Sequence, residues 1–230
     1  MKHLKILEWD SQCFGYKIGE ITTSNIKQAL SEARQENFRL LYAKIYPQDT
    51  LTNNLAQRYG GILIDEKITF VASVPTYSPE SKAIWYAENT LTPQLIELAL
   101  QSGAFSRFKR DENFCNREFE KLYTIWIEKS VKREIAEEIA IFTEKEDILG
   151  LLTLFANENR ACVGLMAVAE LHRGKEIGRN LILKAFEFAR NKQKSLLQIV
   201  TQKANSQACA FYEKMGFKIE KIENIYHFWL

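Results

Sequence analysis

The spacing of apolar residues changes several times along this chain, and the changes predict alternating strands and helices. A helix is predicted where Ala29, Leu30 and Ala33 recur at helical spacing, and Gly60-Gly61 ends a second helix. These segments predict a small mixed α/β unit. Its predicted elements are strands Leu4–Leu7 and Tyr16–Thr22, helix Ile26–Glu36, strand Phe38–Tyr46, helix Leu51–Tyr59 and strand Ile62–Val74.

The rest of the chain predicts a second unit, with helices and strands in the order α-β-β-β-α-β-α-β after a first helix. The turn-rich segment Pro75–Pro79 separates the two units, so we expect an N-terminal region at residues 1–76 and a second domain at residues 77–230. The predicted elements are helices Thr92–Gln101 and Asn116–Val131, strands Glu138–Thr143, Asp147–Ala156 and Ala161–Val168, helix Asn180–Arg190, strand Leu196–Thr201, helix Gln207–Met215 and strand Phe217–Leu230.

Composition narrows the class of protein. With 31 Lys and Arg against 29 Asp and Glu the net charge is +2, which argues against a nucleic-acid partner. No apolar run reaches membrane-spanning length, and Met1–Lys5 has no signal-peptide pattern, so we expect no membrane association and a cytoplasmic location. The four cysteines and three histidines show no ligand spacing, so we expect neither a bound metal nor disulfides.

The strand Ala161–Val168 leads into a basic turn, Leu171–Arg179, which opens a helix. A helix start leaves backbone N–H groups free and carries a positive dipole end. This strand–turn–helix arrangement is therefore typical of a phosphate site built mostly from backbone.

The same stretch resembles the GCN5-related N-acetyltransferase (GNAT) family. Its Arg/Gln-x-x-Gly-x-Gly/Ala turn is matched at Arg173 and Gly178, with Glu176 where the family usually has its first glycine. Its Asn-x-x-Ala-x-x-x-Tyr-x-x-x-Gly-Phe stretch is matched from Asn205 to Phe217. The resemblance implies an α/β fold with a mixed sheet, a GNAT domain in the C-terminal half, and a smaller mixed α/β region packed against it.

The resemblance also implies site residues and a co-substrate, acyl-coenzyme A, with an acetyl or longer acyl group. Tyr212 would be the general acid that protonates the departing thiolate, although packing on its helix is the competing role. Backbone N–H groups of the 166–168 strand segment would hold the oxyanion. The implied coenzyme A contacts are Met166, Ala167, Val168, Arg173, Gly174, Lys175, Glu176, Ile177, Gly178, Arg179, Asn205, Ala208 and Phe211.

Three further stretches look like signatures of one subfamily, which contains the bacterial dTDP-fucosamine N-acetyltransferases of surface-polysaccharide synthesis. They are Trp9–Gly15, Gly103–Asp111 and Phe119–Ser130. The resemblance implies that the acceptor is a dTDP-linked aminodideoxysugar and that the N-terminal region helps to bind it. The candidate acceptor contacts are the aromatic residues Trp9, Phe14, Phe108, Tyr123 and Trp126, which could stack on the base or sugar, and Arg107, whose guanidinium could bind the diphosphate.

Several points stay open at the level of sequence. The general base could be Glu170, His172 or a water relay. Glu176 either swings outward and leaves the phosphate turn intact or weakens it. The acceptor could instead be an amino acid, a polyamine or a protein amine, and a catalytically silent acyl-coenzyme A-binding module is a further alternative. The sequence fixes neither the position of the sugar amine nor the acyl group, and a homodimer is one open oligomeric state.

Overall fold

The computed structural model describes residues 3–230. Met1 and Lys2, part of the segment considered for a signal peptide, lie outside the described residues. The strands are β1 Leu4–Ile6, β2 Ile18–Ile21, β3 Leu40–Ile45, β4 Ile62–Ser73, β5 Ile84–Trp85, β6 Glu138–Glu144, β7 Asp147–Ala156, β8 Ala161–Val168, β9 Leu196–Gln202 and β10 Lys218–Trp229. The helices are α1 Glu8–Phe14, α2 Ile26–Gln35, α3 Thr50–Arg58, α4 Pro93–Ser102, α5 Arg107–Arg110, α6 Glu118–Val131, α7 Ile177–Asn191 and α8 Ser206–Lys214.

Ten strands form one mixed sheet in the order β1-β2-β3-β10-β4-β9-β8-β7-β6-β5. The predicted α/β class with a mixed sheet is confirmed. The last strand, β10, lies between β3 and β4, so the end of the chain pairs with strands from its first third. The sheet is therefore continuous across residue 76, and the division into two domains at that point stays a prediction.

Three short elements were not predicted: α1, α5 and β5. Helix α1 has seven residues and ends at Gly15, which adopts a left-handed φ of 79°. Helices this short are not stable alone and form only where tertiary packing holds them. They are too short to show a helical period, so the apolar pattern could not reveal them.

The two faces of the sheet are covered by different helices. Helices α7 and α8 pack on one face, against Ile68 and Phe70 of β4. Helices α1, α4, α5 and α6 cover the opposite face around β3, β7 and β8. Because side chains alternate along a strand, Asp65 and Lys67 of β4 point toward the second group of helices.

The sheet opens between β8 and β9. These parallel strands pair only at Ala161 with Leu197 and at Cys162 with Gln198. Opposite that point the β7–β8 ladder has a bulge, and the Thr153 hydroxyl accepts the Leu165 N–H at 2.7 Å. A bulge bends and twists a strand, so β8 turns away from β9 beyond Cys162.

Candidate active site

Two backbone N–H groups of β8 point into the gap between β8 and β9. Leu165 N donates to Thr153 and Ala169 N donates to Leu149 O at 2.8 Å, so both face β7. Since successive N–H groups alternate in direction, those of Met166 and Val168 face the gap. The arrangement offers donors to a polar ligand that enters beside β8.

Tyr212 lies next to this gap on α8. Its side chain is buried among Phe70, Phe211 and Phe217, and its hydroxyl lies 3.8 Å from the Met166 sulfur. Burial raises the pKa of Tyr212, with a smaller contribution from Cys209. The phenol therefore stays protonated at neutral pH and can act as a proton donor, which is the property a general acid needs.

The N-terminus of α7 has the features of an anion site. Glu176 precedes the helix and its side chain makes no capping hydrogen bond, so the first N–H groups of α7 lack a protein acceptor of that kind. Gly174 and Glu176 both adopt left-handed backbone, with φ of 81° and 63°. The glycine is suited to that conformation, whereas the glutamate is strained in it.

The side chains of the turn leave this helix end accessible. The Glu176 side chain is 69% exposed and lies 3.5 Å from Arg179. Arg173 donates to the Val168 carbonyl at 3.3 Å, and Lys175 is exposed. The glutamate thus swings outward and is partly neutralised by Arg179, which leaves three cations around the N–H groups.

The remaining predicted coenzyme A contacts lie on α7, on α8 or directly before α8. Ile177 is buried, and a Cβ on Gly178 would lie 3.1 Å from the Phe211 ring. Gly178 therefore allows α7 to approach α8 closely. The Asn205 side chain accepts the Ala208 N–H at 3.2 Å and caps α8.

The predicted acceptor residues come together around α1, α5 and α6. The rings of Phe14 and Phe108 are 5.7 Å apart, Tyr123 stacks on Trp126 at 5.8 Å, and Lys129 lies over Trp9. The side chains of Phe14, Phe108 and Tyr123 are buried in this cluster, whereas Trp9 and Trp126 are partly exposed. Phe14, Phe108 and Tyr123 are therefore core residues, and their contact with an acceptor stays a prediction.

Trp126 connects this cluster to the gap. Its indole nitrogen is 3.8 Å from the Cβ position of Gly164, the β8 residue at which the strand turns away. The same Cβ would lie only 2.7 Å from the Thr153 hydroxyl, so only glycine fits the bend. The wall formed by α6 therefore borders the place where β8 and β9 separate.

Arg107 is partly buried and lies beside the partly buried carboxylate of Asp10. Its guanidinium stacks on the rings of Tyr42 (4.5 Å) and Phe108 (4.4 Å) and lies 3.9 Å from Asp10. Burial raises the pKa of Asp10, and Arg107 opposes that shift. Contact with two rings restricts the orientation of the guanidinium.

Asp65 is a candidate functional residue that the sequence reasoning did not identify. Its side chain is 4% exposed, and its Oδ1 atom has no hydrogen-bond partner among the described residues. Burial raises the pKa of Asp65 to about 6, against the lowering effects of Arg107 and Arg110. The alternating polar residues Asp65 and Lys67 of β4 are visible in the sequence. Only the fold shows that helices cover Asp65.

Strand register places Asp65 at the opening of the gap. Lys67 pairs with Gln202, the last residue of β9, and Cys162 pairs with Gln198. Asp65 comes two residues before Lys67 on the antiparallel strand β4 and therefore lies past the end of β9. Because β9 ends at Gln202, no β9 residue covers Asp65, and Asp65 lies beside the open end of the gap.

The two bases considered from sequence lie in the 3-10 turn Glu170–His172 after β8. Glu170 is exposed, and His172 is partly exposed with a buried Nδ1 that lacks a hydrogen-bond partner among residues 3–230. Neither shares the enclosed polar environment of Asp65. Their role as bases stays a prediction.

A separate cavity of about 460 Å³ lies near the start of α6. Its lining includes none of the residues of β8, α7 or α8 described above, so it is not part of the gap. The lining residues are Phe14, Tyr16, Arg39, Asn116, Glu118 and Lys121.

Comparison with known proteins agrees with this geometry. The model of the Acetyltransferase (GNAT) family matches residues 102–217, which is half of the chain. The chain belongs to the GNAT acetyltransferase family. Proteins of this family transfer acyl groups and use acyl-coenzyme A as co-substrate.

The names of two curated relatives refer to a sugar nucleotide or to polysaccharide synthesis. The chain is 25% identical to the dTDP-fucosamine acetyltransferase of Escherichia coli over 93% of its own length and 92% of that protein. It is 25% identical to the spore coat polysaccharide biosynthesis protein SpsD of Bacillus subtilis over 60% of its length, and this region spans only 47% of SpsD. The predicted subfamily resemblance is confirmed.

Solved structures show the same fold. A GCN5-related N-acetyltransferase from Sphaerobacter thermophilus has a TM-score of 0.63 at 10% identity and covers 98% of this chain and 76% of that one. Across residues 3–230, no helix is long and apolar enough to cross a membrane. The same residues contain no cluster of three or more His, Cys, Asp or Glu side chains able to hold a metal ion.

Replacement of Glu176 separates backbone strain from charge. We expect Glu176→Gly to raise the thermal midpoint, because left-handed backbone costs a non-glycine residue about 1–2 kcal/mol, and to lower the KM for acetyl-coenzyme A severalfold. The control Glu176→Gln keeps the strain but removes the charge. It should lower that KM without raising the midpoint; equal midpoints for both variants would contradict the strain at this position. Thermal unfolding and steady-state kinetics measure the two effects.

Proposed function

We propose that this protein transfers an acyl group from acyl-coenzyme A to the amino group of a dTDP-linked aminodideoxysugar, in surface-polysaccharide synthesis. The observation that carries the proposal is the gap between β8 and β9, with Tyr212 on one face of the sheet and the acceptor cluster on the other. The near full-length similarity to a dTDP-fucosamine acetyltransferase supports the choice of acceptor.

The donor fits the described residues. Its diphosphate would bind at the free N–H groups of α7, with Arg173, Lys175 and Arg179 nearby. Its pantetheine arm would lie beside β8 in the gap. The Met166 and Val168 N–H groups would then stabilise the oxygen that becomes negative when the thioester carbonyl is attacked.

Asp65 is the base that the geometry supports best. An acceptor amine that binds as an ammonium ion would give one proton to the Asp65 carboxylate, and its lone pair would then attack the thioester carbon. Collapse of the addition product breaks the carbon–sulfur bond, and Tyr212 gives its proton to the sulfur. The nitrogen loses its second proton as the amide forms, and solvent carries a proton back to the Tyr212 phenolate, while Asp65 later releases its own proton to solvent. A carboxylate whose pKa is about 6 is a stronger base than an exposed aspartate.

The acceptor pocket has a composition suited to a nucleotide sugar. Arg107 has a guanidinium of restricted orientation that can bind a diphosphate, and Trp9 and Trp126 offer partly exposed ring faces to a base or sugar. The alternative acceptors are amino acids, polyamines or protein amines. We favour the sugar nucleotide because Arg107 and the aromatic rings match its phosphates and rings.

An acceptor panel tests the proposed function. We expect thiol release from acetyl-coenzyme A with dTDP-amino sugars to exceed that with lysine or spermidine by orders of magnitude in kcat/KM. The 4-amino and 3-amino sugars, each with both C-4 epimers, are compared at equal concentration. Comparable turnover of spermidine would reject the sugar-nucleotide acceptor, and no turnover of any amine would favour a silent binding module.

Tyr212→Phe tests the general acid. The ring and its packing are retained, so we expect a folded enzyme whose kcat falls about 10²-fold, while the KM for acetyl-coenzyme A changes little. Tyr59→Phe removes a hydroxyl from a partly exposed residue on α3's C-terminal side and serves as the control. A folded Tyr212 variant within twofold of wild-type turnover would remove this residue from the mechanism.

Asp65→Asn tests the base through opposite effects on activity and stability. Because folding raises the carboxyl pKa from 3.8 to about 6, ionisation destabilises the fold progressively between those two values and fully above them. The neutral amide avoids this cost, so we expect stabilisation of roughly 1–3 kcal/mol at pH 8 and none at pH 3.

The same variant should lose kcat/KM by about 10²-fold or more. In wild type, kcat/KM should rise with pH through about 6, and that limb should be absent in Asp65→Asn. Chemical denaturation and pH–rate profiles provide the two measurements. An active variant that keeps the limb near pH 6 would assign the base to another group.

A further inference from the structure

The strongest unexplained feature is a buried carboxylate that joins α5 to the last strand. Asp111 directly follows α5, and its side chain is 1% exposed. One carboxylate oxygen accepts from His227 Nδ1 at 2.5 Å and from Trp229 Nε1 at 2.9 Å. The other accepts from the backbone and side-chain nitrogens of Asn113 at 3.0 and 2.8 Å. All four bonds end on one residue.

These bonds compensate for the shortness of α5. A helix of four residues has no stability of its own, and its last N–H contact runs from Asp111 to the Arg107 carbonyl at 3.0 Å. The position of α5 is therefore set largely by the attachment of Asp111 to β10. Arg107 is the first residue of that helix, so the attachment also limits where its backbone lies.

The Asp111–His227 pair is also connected to the Arg107 side chain through the Tyr42 ring. The His227 ring packs on the Tyr42 ring at 4.7 Å, and Tyr42 in turn lies under the Arg107 guanidinium at 4.5 Å. His227 has no exposed surface, so it cannot touch an acceptor. Any effect of His227 on catalysis must pass through the residues that it contacts.

We propose that Asp111 and His227 are positioning residues that hold Arg107 at the orientation required to bind the phosphates of the acceptor. The inference rests on the proposed function, because it assigns Arg107 to that diphosphate. Asp111 fixes the backbone of α5, and His227 supports the Tyr42 ring on which the guanidinium lies. Burial lowers the pKa of His227, opposed by Asp111, so the ring is neutral and donates through Nδ1.

The experiment compares Asp111→Asn with a control, Asp49→Asn, which removes a carboxylate that caps α3 outside the site. Asparagine offers one neutral acceptor oxygen in place of two charged ones, which weakens the attachment of residue 111 to β10, so we expect the KM for the dTDP-amino sugar to rise about tenfold or more in Asp111→Asn. The KM for acetyl-coenzyme A and kcat should change less than about threefold, and the control should match wild type. Amide hydrogen exchange of residues 105–112 should also be faster in Asp111→Asn.

Coupling to Arg107 separates positioning from general destabilisation. In an Arg107→Ala background, the added Asp111→Asn change should raise the acceptor KM less than about twofold, because no guanidinium is left to position. His227→Asn retains a nitrogen donor and should restore most of the affinity that His227→Phe loses. A full tenfold effect of Asp111→Asn without Arg107, or unchanged exchange of residues 105–112, would overturn the inference.

Titration with dTDP distinguishes a wrong acceptor from a wrong positioning role. A wild-type enzyme that binds no dTDP in a calorimetric titration would contradict the proposed acceptor and with it the ligand assigned to Arg107. A wild-type enzyme that binds dTDP, with affinity unaffected by Asp111→Asn, would contradict only the positioning role. Both titrations use dTDP alone, so the sugar does not enter the comparison.

Discussion

The bend of β8 at Gly164 is the constraint on which the site depends. Gly164 and Leu165 form a bulge in β8 opposite Thr153, whose hydroxyl accepts the Leu165 N–H, and there is room for that hydroxyl only because residue 164 has no side chain. The bend separates β8 from β9 and turns two N–H groups into the gap. Without the separation, β9 would pair with those groups, and neither Tyr212 nor the α6 wall would face a common space.

The second determinant is a group of buried and partly buried charges on the face of the sheet that α5 and α6 cover. Asp10, Asp65 and Arg107 are held there at a cost in solvation. Such groups persist where their charge is used, and the shifted pKa of Asp65 is a consequence of the burial that covers it. The proposed mechanism uses each one: a base for the amine, a guanidinium for phosphates, and a carboxylate that balances the guanidinium.

The sequence predicted those parts of the site that are local. The longer strands and helices, the basic turn before α7 and the position of Tyr212 follow from apolar spacing and from the family motifs. Helices α1 and α5 were not predicted, because their few residues carry no period and fold only against the sheet. Asp65 was not predicted either. Its alternation with Lys67 resembles a solvent-facing stripe, and only the packing of α5 over β4 makes it a buried carboxylate. The outward position of Glu176 was an open alternative, and the exposure of its side chain and its contact with Arg179 decide it.

The central claim is that β8, Tyr212 and the α7 N-terminus form one acyl-coenzyme A site. The most direct test is a crystal structure of the enzyme with coenzyme A. The account predicts the diphosphate at the N–H groups of residues 177–179, the pantetheine arm paired with β8, and the thiol within hydrogen-bonding distance of the Tyr212 hydroxyl. A coenzyme A molecule bound outside the β8–β9 gap, or one whose sulfur lies away from Tyr212, would contradict it.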